Sequence, residues 1–229
     1  MVYGLDFCSE IAYAVPSNST SADDLPRLRA TYDSYAAEMY INFNKSLQQI
    51  PCNTTASAQY SLAVNCTHCA RAYKDWLCAV TIPRCQDFSN AADYLQPRAV
   101  SQNFLDHTYG QQLQNDPALS LFNKTFKPMN QSRSERIDQI IHPGPYKELL
   151  PCEDLCYNLV RSCPAALGFR CPLEGHGLNY TYGRLQGNTR DVFTCNWPGM
   201  DLSNASTLRS TIAYAIYMAT VIAIWTVFT

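Results

Sequence analysis

Apolar residues return every third or fourth position from Leu25 through Leu28, Tyr32, Ala36, Met39 and Phe43 to Leu47, the spacing of one face of an α-helix. Asp23 and Asp24 stand just before Leu25-Pro26, where an acidic N-cap and a first-turn proline start a helix. The pattern predicts an amphipathic helix over 25–49, about six turns long, ended by Pro51 and Cys52. So aromatic a stripe could face a ligand, but packing against a core is the commoner use of one.

A second helix is predicted around 64–80, where Cys69, Tyr73, Trp76 or Leu77, and Val80 share a face. The third, over 152–163, is the clearest: Cys152, Leu155, Cys156, Leu159 and Cys163 form one stripe holding three cysteines. Their Cβ vectors then point the same way, so these sulfurs should bridge to other elements rather than to each other. Between Cys85 and Cys152 the chain is polar, holds Pro97, Pro117, Pro128 and the run His142-Pro143-Gly144-Pro145-Tyr146, and has no cysteine. It reads as a long irregular insertion over 86–150, folded outside the helices. The fold expected is mostly α and disulfide-rich.

Eleven cysteines, at positions 8, 52, 66, 69, 78, 85, 152, 156, 163, 171 and 195, place the chain in an oxidising compartment. Asn-X-Ser/Thr triplets at Asn18, Asn44, Asn53, Asn65, Asn123, Asn130, Asn179 and Asn204 point the same way, as acceptors for N-linked sugar. Charged residues make up 16% of the chain, below the ~25% of ordinary domains, and glycans would supply the missing solubility. A formal net charge of -2, with no clustered Lys and Arg, implies neither nucleic acid nor anionic lipid as a partner, and no nucleic acid is expected.

The first eight residues, Met1 to Cys8, offer neither a basic nor an apolar region of a secretion signal. With an odd cysteine count as well, a signal and at least one partner cysteine are expected upstream of Met1; a free thiol is the alternative. From Thr211 to Thr229 no residue is charged, and the stretch can just span a bilayer. No Lys/Arg cluster follows it. Small residues at Ser203, Asn204 and Ala205, then a short polar stretch, have the layout of a glycosylphosphatidylinositol attachment signal, and a retained transmembrane helix is the other reading. Either way 201–229 is the anchor and the domain over 1–200 faces outward.

Cys66-Thr67-His68-Cys69 has the spacing of zinc knuckles and redox sites, with Cys78 and Cys85 as a conceivable second ligand pair. The sequon Asn65-Cys66-Thr67 within it favours lumenal disulfide chemistry instead. His68, His107, His142 and His176 are scattered, and no metalloprotease, nucleophile-elbow or calcium-loop pattern occurs. No enzyme, metal or cofactor is expected.

The cysteine spacing is more specific. Eight residues separate Cys69 from Cys78, six separate Cys78 from Cys85, three separate Cys152 from Cys156, and six separate Cys156 from Cys163. This resembles the frizzled-type cysteine-rich domain, with Cys8 in Leu5-Asp6-Phe7-Cys8-Ser9-Glu10-Ile11-Ala12-Tyr13 at that module's second cysteine. The resemblance implies bridges Cys8–Cys78, Cys69–Cys163, Cys152–Cys195 and Cys156–Cys171. The extra Cys52 and Cys66 would pair, and Cys85 would be left over as an exposed thiol, its partner upstream of Met1.

Within that group, Leu5 to Pro16, the run Trp76-Leu77-Cys78-Ala79-Val80-Thr81-Ile82-Pro83-Arg84-Cys85, and Leu150-Pro151-Cys152-Glu153-Asp154-Leu155-Cys156 resemble the C-terminal half of the fungal stretch-activated calcium-channel subunits, the mating-pheromone-induced-death family. The chain also resembles the auxiliary subunit of the animal sodium-leak channel. The resemblance implies a regulatory subunit on the outer face of the plasma membrane, passing through the endoplasmic reticulum, that associates with a large voltage-gated-type pore subunit and supports calcium entry. A frizzled-like receptor or lipid-binding module is the alternative, and a cell-surface hydrolase is a third. A lipid module should show an open apolar groove and a hydrolase a converging nucleophile, base and oxyanion donors. A channel subunit should show neither, and a glycan-free face instead.

Overall fold

The computed structural model describes residues 1–18, 24–51, 64–98, 131–174, 176–185 and 193–199, all of one compact unit, Met1–Gly187 with Phe193–Gly199. A second unit, Asn188–Val192 with Met200–Thr229, lies outside the described residues, and with it the expected anchor.

Helix α1 runs Leu25–Leu47 and buries Tyr32, Asp33, Ala36, Phe43 and Leu47. The expected stripe is there, with one acid inside it. Asp24 occupies the N-cap position in helical conformation and makes no capping hydrogen bond, so the start rests on the proline of the first turn. The helix ends at Leu47, before Pro51, with the Gln48 N–H bonded to Asn44 O at 2.9 Å.

Helix α2, Cys66–Thr81, starts at a reciprocal capping box between Asn65 and His68. It stops ahead of Pro83, which cannot continue it. Its burial is wider than one stripe, taking in Cys69, Ala72, Leu77, Cys78, Ala79 and Thr81, because α1 packs on one side and helix α3, Glu153–Ser162, on another. Cys152 and Cys163 cap α3 with extended backbone rather than lying inside it, which frees their sulfurs to diverge. Glu153 and Asp154 in its first turn and Arg161 in its last suit the helix dipole.

Four disulfides join Cys8 to Cys78, Cys69 to Cys163, Cys152 to Cys195 and Cys156 to Cys171. Cys66 is also disulfide-bonded; Cys52, the partner expected for it, lies outside the described residues. The bridges staple the N-terminal segment to α2, α2 to α3, and α3 to the segments around 171 and 195.

The expectation of an insertion folded outside the helices is corrected at both of its ends. Strands β1 (Arg84–Gln86), β2 (Leu95–Arg98) and β3 (Tyr146–Leu149) form an antiparallel sheet in the order β1-β3-β2. Arg84 faces Leu149 on one side of β3, and Leu95 faces Leu149 on the other. Every residue of β2 and β3 is buried. A π-helical turn, Ile137–Ile141, puts Ile137 and Ile141 into a core with Val2, Leu5, Ile11, Tyr32 and Ile82. What interrupts the fold is therefore shorter than 86–150. Its ends are polar yet buried because their charges are paired inside, as described next.

Candidate functional site

Four segments surround one open cleft of about 870 Å³. On α1, Tyr35 and Met39 lie one turn apart on the shoulder of the buried stripe; on α2, Tyr73, Trp76 and Val80 follow at three and four. The facing wall is Arg133, Glu135, Arg136, Gln139 and Ile140, and short helix α4, Leu178–Thr181, brings Thr181 and the adjoining Tyr182.

The aromatic wall is held from behind. Tyr73 stacks on the buried Phe43 at 3.7 Å between centroids and 10° between planes, and Trp76 Nε1 donates to Tyr182 Oη at 2.8 Å. Burial raises the pKa of Tyr73 and that of Tyr182, the latter opposed by its hydrogen bond with Trp76; both rings are neutral phenols at physiological pH.

The polar wall hangs on Glu148, whose carboxylate is fully buried on β3. Arg98 Nε of β2 pairs with one of its oxygens and Arg133 Nε with the other. Donors left over from the two guanidiniums go to backbone oxygens, Arg98 Nη1 to Gln131 at 2.9 Å and Arg133 Nη2 to Thr181 at 3.2 Å. Charges out of water need such pairing. Lys147, next along β3 and so on its other face, gives its ammonium to Asn90 O and sits 5.3 Å from the centroid of Phe88. Arg136 lies over the Tyr35 ring at 5.0 Å and reaches Glu38 at 3.5 Å. Its Nε is buried with no hydrogen-bond partner among the described residues.

The cleft offers aromatic faces, guanidiniums, a carboxylate and a carboxamide to whatever it binds. Its lining holds no histidine, aspartate or cysteine. The hydroxyls of Thr81 and Thr181 are already bonded, to Leu77 O and Gly177 O. His68 serves the α2 cap and His142 ends the π-helical turn at φ 48°; His107 lies outside the described residues. No group of acidic, histidine or cysteine side chains able to hold a metal occurs among the described residues. The channel-subunit reading expected no open apolar groove with room for an acyl chain, and one wall of this cleft is polar, with Arg133, Glu135, Arg136 and Gln139.

Of the expected glycan acceptors, Asn18, Asn65 and Asn179 are exposed and Asn44 is half-buried in α1; none lines the cleft. Asn53, Asn123, Asn130 and Asn204, with the anchor candidates Ser203 and Ala205, lie outside the described residues. Cys85 is free but partly buried on β1, and burial pushes its thiol up to about 11, where an exposed thiol was expected. The residues that sequence reasoning passed over are Arg133, Arg136, Glu148 and Tyr182. The density of charge from Arg133 to Asp138, in a chain otherwise poor in it, is a signal for the two arginines, and Glu148 and Tyr182 carry none.

The four disulfides, the helices and the small sheet around this cleft define a disulfide-rich, largely helical domain. The chain is a member of the family of stretch-activated Ca²⁺-permeable channel components (Mid1), whose model matches residues 1–201. It is 39% identical over 228 residues to the stretch-activated cation channel yam8 of Schizosaccharomyces pombe, covering 100% of this chain and 40% of that protein. It is 37% identical over 201 residues to the stretch-activated cation channel MID1 of Saccharomyces cerevisiae, covering 87% of this chain and 31% of that protein. A Cryptococcus neoformans protein of the same name is 32% identical over 116 residues, 49% of this chain and 16% of its own length. The chain thus spans less than half of these relatives. No solved structure matches it significantly.

Proposed function

We propose that this chain is the cysteine-rich, C-terminal half of an extracellular regulatory subunit of a stretch-activated, calcium-permeable channel. It acts at the outer face of the plasma membrane by associating with a large pore-forming subunit of the voltage-gated type. The observation that carries this reading is family membership across residues 1–201. The cleft supplies a docking surface of suitable chemistry: aromatic side chains and arginines are the residue types on which protein interfaces concentrate their energy, and none of the described acceptor asparagines lines it. In this reading 201–229 attaches the protein to the membrane through a lipid anchor, and the N-linked sugars cover the remaining surface.

Affinity purification of the full-length protein from fungal membranes tests it. A large multi-span channel protein should copurify, and Trp76→Ala with Arg136→Glu should weaken its recovery while leaving secretion and bridge formation intact. Failure to recover any such protein with the unaltered subunit would overturn the reading.

One observation favours a second reading, a frizzled-like lipid-binding module: about 870 Å³ lies within the ~300–1,000 Å³ of small-molecule sites. Arg133, Glu135, Arg136 and Gln139 make half of the cleft polar, however, which suits a peptide surface better than an acyl chain. Mass spectrometry of the protein in its native state, with a bound lipid adduct that Trp76→Ala removes, would favour the second reading.

A further inference from the structure

N-linked sugar transfer engages two side chains of the acceptor triplet together, the asparagine carboxamide and the hydroxyl two residues on. On extended backbone those two side chains share a face, whereas on a helix residues i and i+2 do not. Two of the described sequons sit inside helices, and a third, at Asn65, caps one from extended backbone. Asn44 and Ser46 both lie inside α1, and Asn179 and Thr181 both lie inside α4, with Thr181 Oγ1 already donating to Gly177 O at 2.9 Å.

Asn65 is held more firmly still. Its Oδ1 accepts the N–H groups of Thr67 at 3.0 Å and His68 at 3.1 Å, and its own N–H donates to His68 Nδ1 at 3.2 Å. Cys66, the middle residue of the triplet, is disulfide-bonded, and Cys69 one turn on is tied to Cys163. Yet Asn65 and Asn179 are exposed, and the capping bonds of Asn65 use its oxygen alone, leaving Nδ2 open. The folded domain can carry a sugar on either nitrogen. It cannot offer either triplet to the enzyme that attaches one.

We propose that Asn65 and Asn179 are glycosylation sites usable only before α2 and α4 form, so that at Asn65 sugar transfer competes with closure of the Cys66 and Cys69–Cys163 bridges. The proposal rests on the reading of the chain as an extracytoplasmic glycoprotein. In the step itself the asparagine Nδ2 forms a bond to the anomeric carbon of a lipid-pyrophosphate-linked oligosaccharide. The bond from that carbon to the pyrophosphate oxygen breaks, and the proton lost from Nδ2 leaves with the lipid pyrophosphate. Oxidation of the two cysteine pairs, which releases two electrons per bridge to the lumenal thiol oxidants, fixes α2 in place and ends the opportunity.

The test is site-by-site occupancy of the full-length protein made in fungal cells, read by enzymatic deglycosylation in heavy-oxygen water and peptide mass spectrometry. Partial occupancy of Asn65 under normal growth is expected, rising toward full occupancy when dithiothreitol delays bridge formation. Cys66→Ser, which keeps the triplet as Asn-Ser-Thr, should give the same rise, and Asn65→Gln should abolish the signal. Deglycosylated, oxidised protein returned to microsomes with the oligosaccharide donor should gain no sugar at Asn65 or Asn179. Transfer to that folded protein, or occupancy of Asn65 that neither dithiothreitol nor Cys66→Ser alters, overturns the proposal. Absence of sugar at every sequon, Asn18 included, under both conditions overturns instead the extracytoplasmic reading on which it rests.

Discussion

The carboxylate of Asp33 on α1 accepts the backbone N–H of Cys8 at 2.8 Å. Its second oxygen takes the N–H of Phe7 at 2.9 Å, so one buried acid closes two backbone donors of the N-terminal segment beside the Cys8–Cys78 bridge. Asp33→Ala should leave both donors unpaired and cost about 2–4 kcal/mol; Asp33→Asn, which keeps one acceptor, should cost roughly half as much. Chemical denaturation with the bridges intact measures both. Equal stability of the two variants would show that the N-terminal segment finds other partners.

Glu148 carries the heaviest electrostatic duty, one buried carboxylate between Arg98 and Arg133. Glu148→Gln strands two guanidiniums and should cost about 3–5 kcal/mol. Replacing all three residues together, Arg98→Met with Glu148→Leu and Arg133→Met, removes the charges along with their desolvation and should return most of that loss. The triple variant alters the polar wall of the cleft without unfolding it, which separates a stability defect from a binding defect in copurification.

The helices could be read from the chain because their burial is periodic: Tyr32, Ala36, Phe43 and Leu47 repeat at three and four, and Leu155, Cys156 and Leu159 do so on α3. Asp33 defeats that reading, since its burial answers to Phe7 and Cys8, some 25 residues away. The sheet was illegible for a related reason. Gln96, Arg98, Lys147 and Glu148 are buried polar residues with no alternation against apolar neighbours, and Glu148 finds its partners 50 and 15 residues away. Nothing local distinguishes such a strand from a solvated loop. The cleft is a product of the same long-range pairing, so its polar wall could not be foreseen, whereas its aromatic wall lay on the flanks of predicted helices.

Gly183 marks a close approach. It pairs with Cys152 in a short parallel bridge, donating its N–H to Pro151 O at 2.8 Å and accepting that of Glu153 at 2.9 Å. A Cβ there would lie 2.9 Å from Cys195 Cβ and 3.2 Å from Thr194 O, against a disulfide and a backbone that have little room to move. Gly183→Ala should therefore destabilise by about 1–3 kcal/mol. It should also slow closure of Cys152–Cys195, visible as a slower-migrating species in non-reducing gels of freshly secreted protein. Full stability with prompt oxidation would mean that the two segments separate more easily than the structure implies.

Tyr13, Tyr32 and Tyr146 are buried phenols whose pKa values burial lifts above the ordinary 10.0. Tyr13 and Tyr32 donate to Ile82 O and Pro16 O, and Asn196, hydrogen-bonded to Tyr13, opposes part of its rise. The folded state holds these protons more tightly than the unfolded chain does, so the stabilisation is fully present below about pH 10 and drains away as pH climbs beyond it. Alkaline titration should give a cooperative rise of phenolate absorbance for these rings, coincident with loss of near-ultraviolet circular dichroism. Tyr13→Phe should leave Asn196 without its Tyr13 partner, lowering stability at neutral pH, and should make the loss of stability above pH 10 shallower by one phenol's share. Phenolate formation well before the structural signal is lost would contradict the burial.

Cys85 offers the sharpest test of connectivity. Its backbone N–H is fixed to Ala14 O at 2.8 Å, its side chain is partly buried, and burial pushes the thiol up to about 11 from an ordinary 9.0. Below pH 9 it therefore carries about a hundredfold less thiolate than an exposed cysteine, and the thiolate is the reacting species. The folded 229-residue chain should alkylate slowly at neutral pH, with a rate that rises about tenfold per pH unit toward pH 11. Unfolding without reductant should release one fast-labelling site, at Cys85. Disulfide dimers should accordingly form slowly in the folded state, and Cys85→Ser should eliminate them. In the longer protein the frizzled-type pairing implies a bridge from Cys85 to a cysteine upstream of Met1, so the same unfolding should expose no label there. Peptide mass spectrometry after alkylation decides both points. Fast labelling of the folded chain would refute the burial, and a labelled Cys85 in the unfolded, unreduced full-length protein would refute the pairing.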